Sequence, residues 1–307
     1  MKKLSTLPVA VKKTVRMSGS KCSICFSSED DNEMMLQSSN RRRAALAGLT
    51  FSLAVACFSV VCLSALTSVS AGEIDPQQKA WYEQYKTQEN VPAPGEMLLN
   101  EDPEPELTDG FTDLFNGKDL TGWKPLGGTC KFEVKDQQII GTCVPGSNST
   151  YLCTERSDFK NFVFTCEMDW LVDGNTGVMF RSRMKSNPKA KADTDSTKVV
   201  YGPQLELEGF SKDRHWSGGV YGQSCGGYFY PLWLKDHVEA RAALKDKQWN
   251  RVTISAEGNE VKTWVNGVPA AYWIDDGSYP EGFFGLQIHK GKAGKVRFKN
   301  LRVKELP

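Results

Sequence analysis

Histidine is scarce in this 307-residue chain, with three residues, and neither sign of charge is in surplus: 38 Lys and Arg stand against 37 Asp and Glu. That balance argues against a nucleic-acid binder acting through bulk charge. The sequence has no HExxH pair, no phosphate-binding GxxxxGK[ST] loop and no GxGxxG fingerprint. Their absence argues against a zincin, a P-loop NTPase and a dinucleotide-dependent dehydrogenase. Helical periodicity beyond a turn or two is also missing. What is present is 40% hydrophobic residues, 24% charged residues, 27 Gly and 32 aromatic side chains (15 Phe, 9 Tyr, 8 Trp). This composition excludes a disordered or collagen-like chain and points to many turns joining aromatic strands.

The charge balance conceals three regions. Residues 1–71 carry 9 basic and 4 acidic side chains, residues 72–109 carry 2 and 10, and residues 110–307 carry 27 and 23. In the first region Arg41, Arg42 and Arg43 precede an uncharged, largely apolar run that ends with Val69 and Ala71 at the −3 and −1 positions of a cleavage site. A basic segment, an apolar segment and small residues in that order predict an export signal cleaved after Ala71. The apolar run is long enough for the alternative of an uncleaved membrane anchor. Cys22 and Cys25 form one CxxC without a second pair and are read as incidental. The acidic, Pro-containing stretch 72–109 has little to bury and is expected to be a linker.

From Gly110 onward, short runs of alternating apolar and polar residues are separated by Gly, Asn and Asp turns. Strands at this spacing predict an all-β fold, and about 200 residues suit a jelly-roll sandwich of two antiparallel sheets. Cys130 and Cys143 lie symmetrically about Asp136-Gln137, so a hairpin there would set them opposite each other, where geometry decides whether a disulfide forms. Trp249 and Trp264 are taken as packing residues.

Several segments, in order, carry a resemblance: FTDLFNGKDLTGW (111–123), NTGVMFRS (175–182), YGPQLELEGF (201–210), SGGVYG (217–222), WNRVTI (249–254), VKTWVNG (261–267) and GLQIHKGKAGKVRFKNLRVKEL (285–306). Together they resemble the 3-keto-disaccharide hydrolase domain family over essentially all of 110–307. The resemblance implies a concanavalin A-like jelly roll, export, and activity on oxidised glucosides. Pro203 stands where the family pattern usually has an aromatic residue, and the segment 210–247 is longer than usual.

Strand alternation gives candidate site residues independently of the resemblance. Leu205 and Leu207 face one way, and Gln204, Glu206 and Glu208 the other. Val178 and Phe180 oppose Met179, Arg181 and Arg183, and Leu286 and Ile288 oppose Gln287 and His289. Three strands thus each offer one apolar and one functional face. Glu206 and Glu208 lie about 7 Å apart along their strand. Gln204 stands where a third acid would be needed to match the β-glucanase pattern, so a double displacement is disfavoured. Trp216 and Tyr221 belong to a stretch of seven aromatics over 210–233 that would suit a sugar platform.

The chemistry expected of an enzyme is removal of the proton at C2, acidified by a C3 ketone, followed by β-elimination at C1 and addition of water. Glu206 or His289 would be the base, Arg181 the clamp on the enolate, and Glu208 the acid or a metal ligand, with Gln204, Gln287, Tyr221, Trp216 and Arg183 binding the sugar. A divalent metal ion held by Glu206 and His289 is the variant in which a cation replaces Arg181. A separate oxidoreductase would supply the 3-keto-glucoside, no nucleic-acid partner is expected, and any membrane contact would run through the N-terminal apolar segment. The alternatives are a non-catalytic, lectin-like carbohydrate-binding module of the cell envelope and an inert interaction domain.

Overall fold

The computed structural model describes residues 72–186 and 198–307; the expected export signal and the Cys22/Cys25 pair lie outside the described residues. The strands, in chain order, are Leu98–Leu99 (β1), Thr112–Asp113 (β2), Trp123–Gly127 (β3), Lys131–Lys135 (β4), Gln138–Thr142 (β5), Thr150–Thr154 (β6), Phe162–Val172 (β7), Asn175–Ser186 (β8), Lys198–Glu208 (β9), Val220–Gln223 (β10), Gly227–Tyr230 (β11), Asn250–Glu257 (β12), Glu260–Val265 (β13), Val268–Ile274 (β14), Phe283–Ile288 (β15) and Lys295–Glu305 (β16). Two short helices, Lys79–Tyr85 (α1) and Val238–Arg241 (α2), accompany them. No helix among the described residues is long and apolar enough to cross a membrane.

The strands form two antiparallel sheets. One runs β1-β14-β13-β12-β7-β16-β5-β4, with β2 also paired to β16, and the other runs β11-β10-β9-β8-β15-β6-β3. Turn chemistry fixes the hairpins. Asp136 and Gln137 both have positive φ, as do Asn266 and Gly267, which gives the two-residue connections whose twist matches that of the flanking strands. The first hairpin pairs Lys131 with Thr142, so Cys130 and Cys143 follow at its open end, both as free thiols.

Alternation sets the core. Val178, Leu205, Leu207, Leu286 and Ile288 from the smaller sheet meet Phe162, Phe164, Ile254 and Phe298 from the larger one, all buried. Phe284 packs 4.7 Å, centroid to centroid, from both Phe162 and Phe164. Each such side chain contributes roughly 1.5–3 kcal/mol on burial. The architecture is the jelly-roll sandwich that the periodicity predicts.

The stretch 72–109 departs from expectation: it is packed onto the sandwich as a wrap. Gln78 is buried and its side-chain oxygen accepts from the Trp216 indole at 2.8 Å. Met97 is buried against Trp233, and β1 pairs with β14. Asp75 pairs with Arg241, Glu104 with Arg251, and Asp102 with Lys262. The acidic residues that suggest a solvated linker are matched by basic residues far along the chain, and this pairing overturns the linker reading.

Candidate active site

The outward face of the smaller sheet forms the floor of a trough of about 940 Å³. On β9, Gln204 and Glu206 point into it while Leu205 and Leu207 point into the core. Gly177 on β8 pairs with Glu206, and a Cβ at that position would collide with the Gln204 side chain, so this glycine makes room for the site. Gln287, at the end of β15, lies on the same floor, and His289 follows on the rim.

Asn175 binds the Glu206 side chain and the backbone at His289. Its side-chain amide donates to Glu206 Oε1 at 2.6 Å, and its backbone carbonyl accepts from the backbone N–H of His289 at 3.2 Å. The other Glu206 oxygen accepts from the Gln204 amide at 2.7 Å. Burial, reinforced by the nearby Glu208 carboxylate, pushes the Glu206 carboxyl up to about 7, against the pull of Asn175, Arg214 and Gln204. Burial, together with the charges on Lys290 and Lys212, holds His289 below its ordinary value. His289 Nδ1 lies 2.7 Å from the Lys290 carbonyl, which can only accept; Nδ1 therefore carries the proton and Nε2 is the basic nitrogen. Near neutral pH the trough thus holds a neutral imidazole on its rim and a carboxyl close to its midpoint on its floor.

Two acceptors on the floor have no partner among the described residues. Gln204 Oε1 and Gln287 Oε1 are buried and unbonded, an arrangement that suits donors brought by a ligand. Tyr151, kept neutral by burial, accepts from the Gln287 amide at 3.4 Å and lines the same floor. Tyr221 lines the wall and packs edge-on against Tyr228.

Four expected site residues have other surroundings. Arg181 lies at a bulge between Met179 and Arg183, with φ 44°, which turns it off the trough face. Its guanidinium is buried and donates to the carbonyls of Lys160 and Gly258, both at 2.8 Å. Arg183 lies outside the trough and donates to the Glu281 carbonyl at 3.0 Å. Trp216 is fully buried and bonded to Gln78, so it is no sugar platform. Tyr228, Phe229, Tyr230 and Trp233 of the same stretch are buried with it. Glu208 shares its strand face with Glu206, but its oxygens take Arg214 Nε at 2.5 Å and the Trp216 N–H at 2.9 Å; it anchors the loop after β9 and is not an acid facing the ligand. As for the metal variant, Glu206 and His289 share the trough, but no group of three His, Cys, Asp or Glu residues able to hold an ion is found among the described residues. With both Glu206 oxygens occupied by amides, the donor set does not fit a metal centre.

Asn175, Tyr151, Tyr85, Gln88 and Arg214 escape the strand reading. Asn175 is within its reach, because extending the alternation back from Met179 through Gly177 leads to it. Tyr85 and Gln88 come from the wrap and leave no periodic trace. The Tyr85 hydroxyl accepts from Arg214 at 2.8 Å, and Gln88 Oε1 accepts from the Tyr228 N–H at 3.0 Å. Gly227, with φ 123°, admits Gln88, since a Cβ there would collide with its side-chain oxygen.

The family model described as the 3-keto-alpha-glucoside-1,2-lyase-like domain matches residues 110–304. The chain belongs to this family. A 3-keto-disaccharide hydrolase of Bacteroides thetaiotaomicron is 24% identical over 242 residues, covering 66% of this chain and 80% of the relative. Among solved structures, a provisionally assigned glycosyl hydrolase of Parabacteroides distasonis is 22% identical and covers 67% of this chain and all of its own, with a TM-score of 0.45. A Bacillus subtilis protein of unknown function with a galectin-like fold is 13% identical and covers 68% and 98%, with a TM-score of 0.46. The 3-keto-alpha-glucoside-1,2-lyase-like domain contains Glu206, Asn175, Gln287 and His289, whereas Tyr85 and Gln88 precede the matched residues.

Proposed function

We propose that the protein cleaves the glycosidic bond of 3-keto-glucosides or 3-keto-disaccharides by elimination and hydration. The observation that carries this reading is one trough lined by Glu206 and Gln287 on its floor and by His289 on its rim. A C3 ketone acidifies the hydrogen on C2. Neutral His289 Nε2 takes that proton, and the electron pair moves into the C2–C3 bond as the enolate forms on the C3 oxygen. The Tyr151 hydroxyl, held neutral, is the donor to that oxygen. As the enolate re-forms the ketone, the C1–O bond breaks, and protonated Glu206 gives its proton to the departing oxygen. The Glu206 carboxylate then takes a proton from a water that adds at C1, and the imidazolium returns its proton to C2. The sum is hydrolysis, and both side chains end as they began. Family membership, the two unpartnered glutamine oxygens and the opposed protonation tendencies of Glu206 and His289 support this reading. Export by the leader at 1–71 and supply of the keto sugar by a separate oxidoreductase complete it.

The test offers the protein a 3-keto-glucoside and its unoxidised parent in deuterated water. The expected result is aglycone release from the keto compound alone, with solvent deuterium at C2 of the released sugar. Equal release from both compounds would overturn the ketone-dependent route. Binding of sugar without turnover would assign the trough to a carbohydrate-binding module.

A further inference from the structure

The trough floor is neutral to acidic, whereas one end of its rim is basic. Lys212, from the loop after β9, and Lys290 and Lys292, from the loop after β15, line this end, and all three are exposed. None has a carboxylate within ion-pair distance among the described residues. Asp213, next to Lys212, is exposed and does not line the trough, and three other nearby carboxylates are committed elsewhere. Asp173 accepts from the backbone N–H groups of Phe210 and Ser211, Glu208 pairs with Arg214, and Glu206 is bonded to Asn175 and Gln204. His289 lines the trough with these lysines, and the charges on Lys290 and Lys212 both act on it. Two separate loops therefore bring unpaired ammonium groups to one end of a site whose floor offers unpartnered acceptors to uncharged hydroxyls. Like charges so placed repel one another, and an anion between them relieves that repulsion.

We propose that Lys212, Lys290 and Lys292 form a subsite for an anionic substituent, a carboxylate or a sulfate, on the glycoside that the trough accepts. The inference rests on the reading that the trough holds a glycoside and narrows the substrate class to acidic saccharides. Rim charges act mainly through encounter and orientation, so the subsite favours binding more than the chemical step.

The experiment compares 3-keto-glucosides carrying a neutral, a carboxylated or a sulfated aglycone. At low salt, one anionic compound is expected to show kcat/KM at least about tenfold above the neutral one, and that ratio is expected to fall toward one in about 0.5 M NaCl. The arm with the higher ratio identifies the anion. In the Lys212→Gln/Lys290→Gln/Lys292→Gln variant, with melting temperature verified against the parent protein, the ratio is expected to fall to about one. Equal kcat/KM for all three compounds in the unaltered protein, or a preference that survives the triple variant, overturns the subsite. If no keto-glycoside is cleaved, the proposed chemistry fails, and calorimetry with the unoxidised sulfated, carboxylated and neutral glycosides still decides the subsite. Tighter binding of an anionic compound, lost in the triple variant, upholds the subsite, and equal binding overturns it.

Discussion

The sandwich and the wrap differ in how they are held and in what they give the site. The sandwich supplies the titratable groups of the trough, positioned by strand register and by a core of interleaved aliphatic and aromatic side chains. The wrap contributes Tyr85 and Gln88 to one wall, and it is held by a few buried anchors and by ion pairs with residues more than a hundred positions away. A segment rich in acid and proline can thus be as firmly placed as a strand, provided that its partners lie elsewhere in the sequence.

Substitutions in the sandwich trough are expected to have the largest effects. His289→Ala and Glu206→Gln should each lower kcat on a 3-keto-glucoside by about 10²–10⁴-fold without altering the melting profile by a similar measure. Comparable losses from Tyr85→Phe would erase the distinction between the two regions. The pH dependence follows from the same pair. The base must be neutral and the acid protonated, so kcat/KM should fall both below the lowered His289 value and above about 7, where Glu206 ionises. Glu206→Gln should remove the alkaline limb of whatever activity remains.

The anchors of the wrap come next. Met97→Ala should cost about 2–5 kcal/mol in denaturant unfolding, as for other buried methionines. Acid should loosen the same region. Tyr230 donates to the Leu98 carbonyl and meets His237 Nε2 at 3.1 Å. Burial, with Arg241 nearby, depresses the His237 imidazole to about 3. A histidine depressed in the folded state contributes stability that is present above its unfolded value near 6.5 and is lost progressively as pH falls toward 3. Amide hydrogen exchange around Leu98 and Leu99 should therefore accelerate between pH 6 and 4, relative to the intrinsic rate, before exchange in β7 or β12 does. Simultaneous loosening of those strands would contradict the comparison. The smallest effect belongs to Glu104→Ala, about 0.5–1 kcal/mol, because its partner Arg251 is largely exposed.

The sheet faces of β9 and β15 were legible in the sequence, because a period of two needs only local information, and Leu205, Leu207, Leu286 and Ile288 are in the core as alternation requires. The jelly roll follows from many such segments and their turns. Arg181 and Arg183 were not legible, because a bulge between Met179 and Arg183 interrupts the count and nothing in the local composition announces it. Trp216 is ambiguous in the sequence for another reason: an aromatic residue suits a sugar face and a core equally well, and Gln78, the partner that settles the matter, lies 138 residues away. The wrap was missed on the same ground. Its charges look solvated until Arg241, Arg251 and Lys262 are seen beside them.

The bulge in β8 has a wider consequence. It diverts the guanidinium of Arg181 inward, where it ties the carbonyl of Lys160 to that of Gly258. Straightening that kink by deleting one residue would return the following side chains to the opposite sides of the pleat. One extra residue in a single strand thus decides whether a cation braces the fold from within or stands on the sheet's outer face.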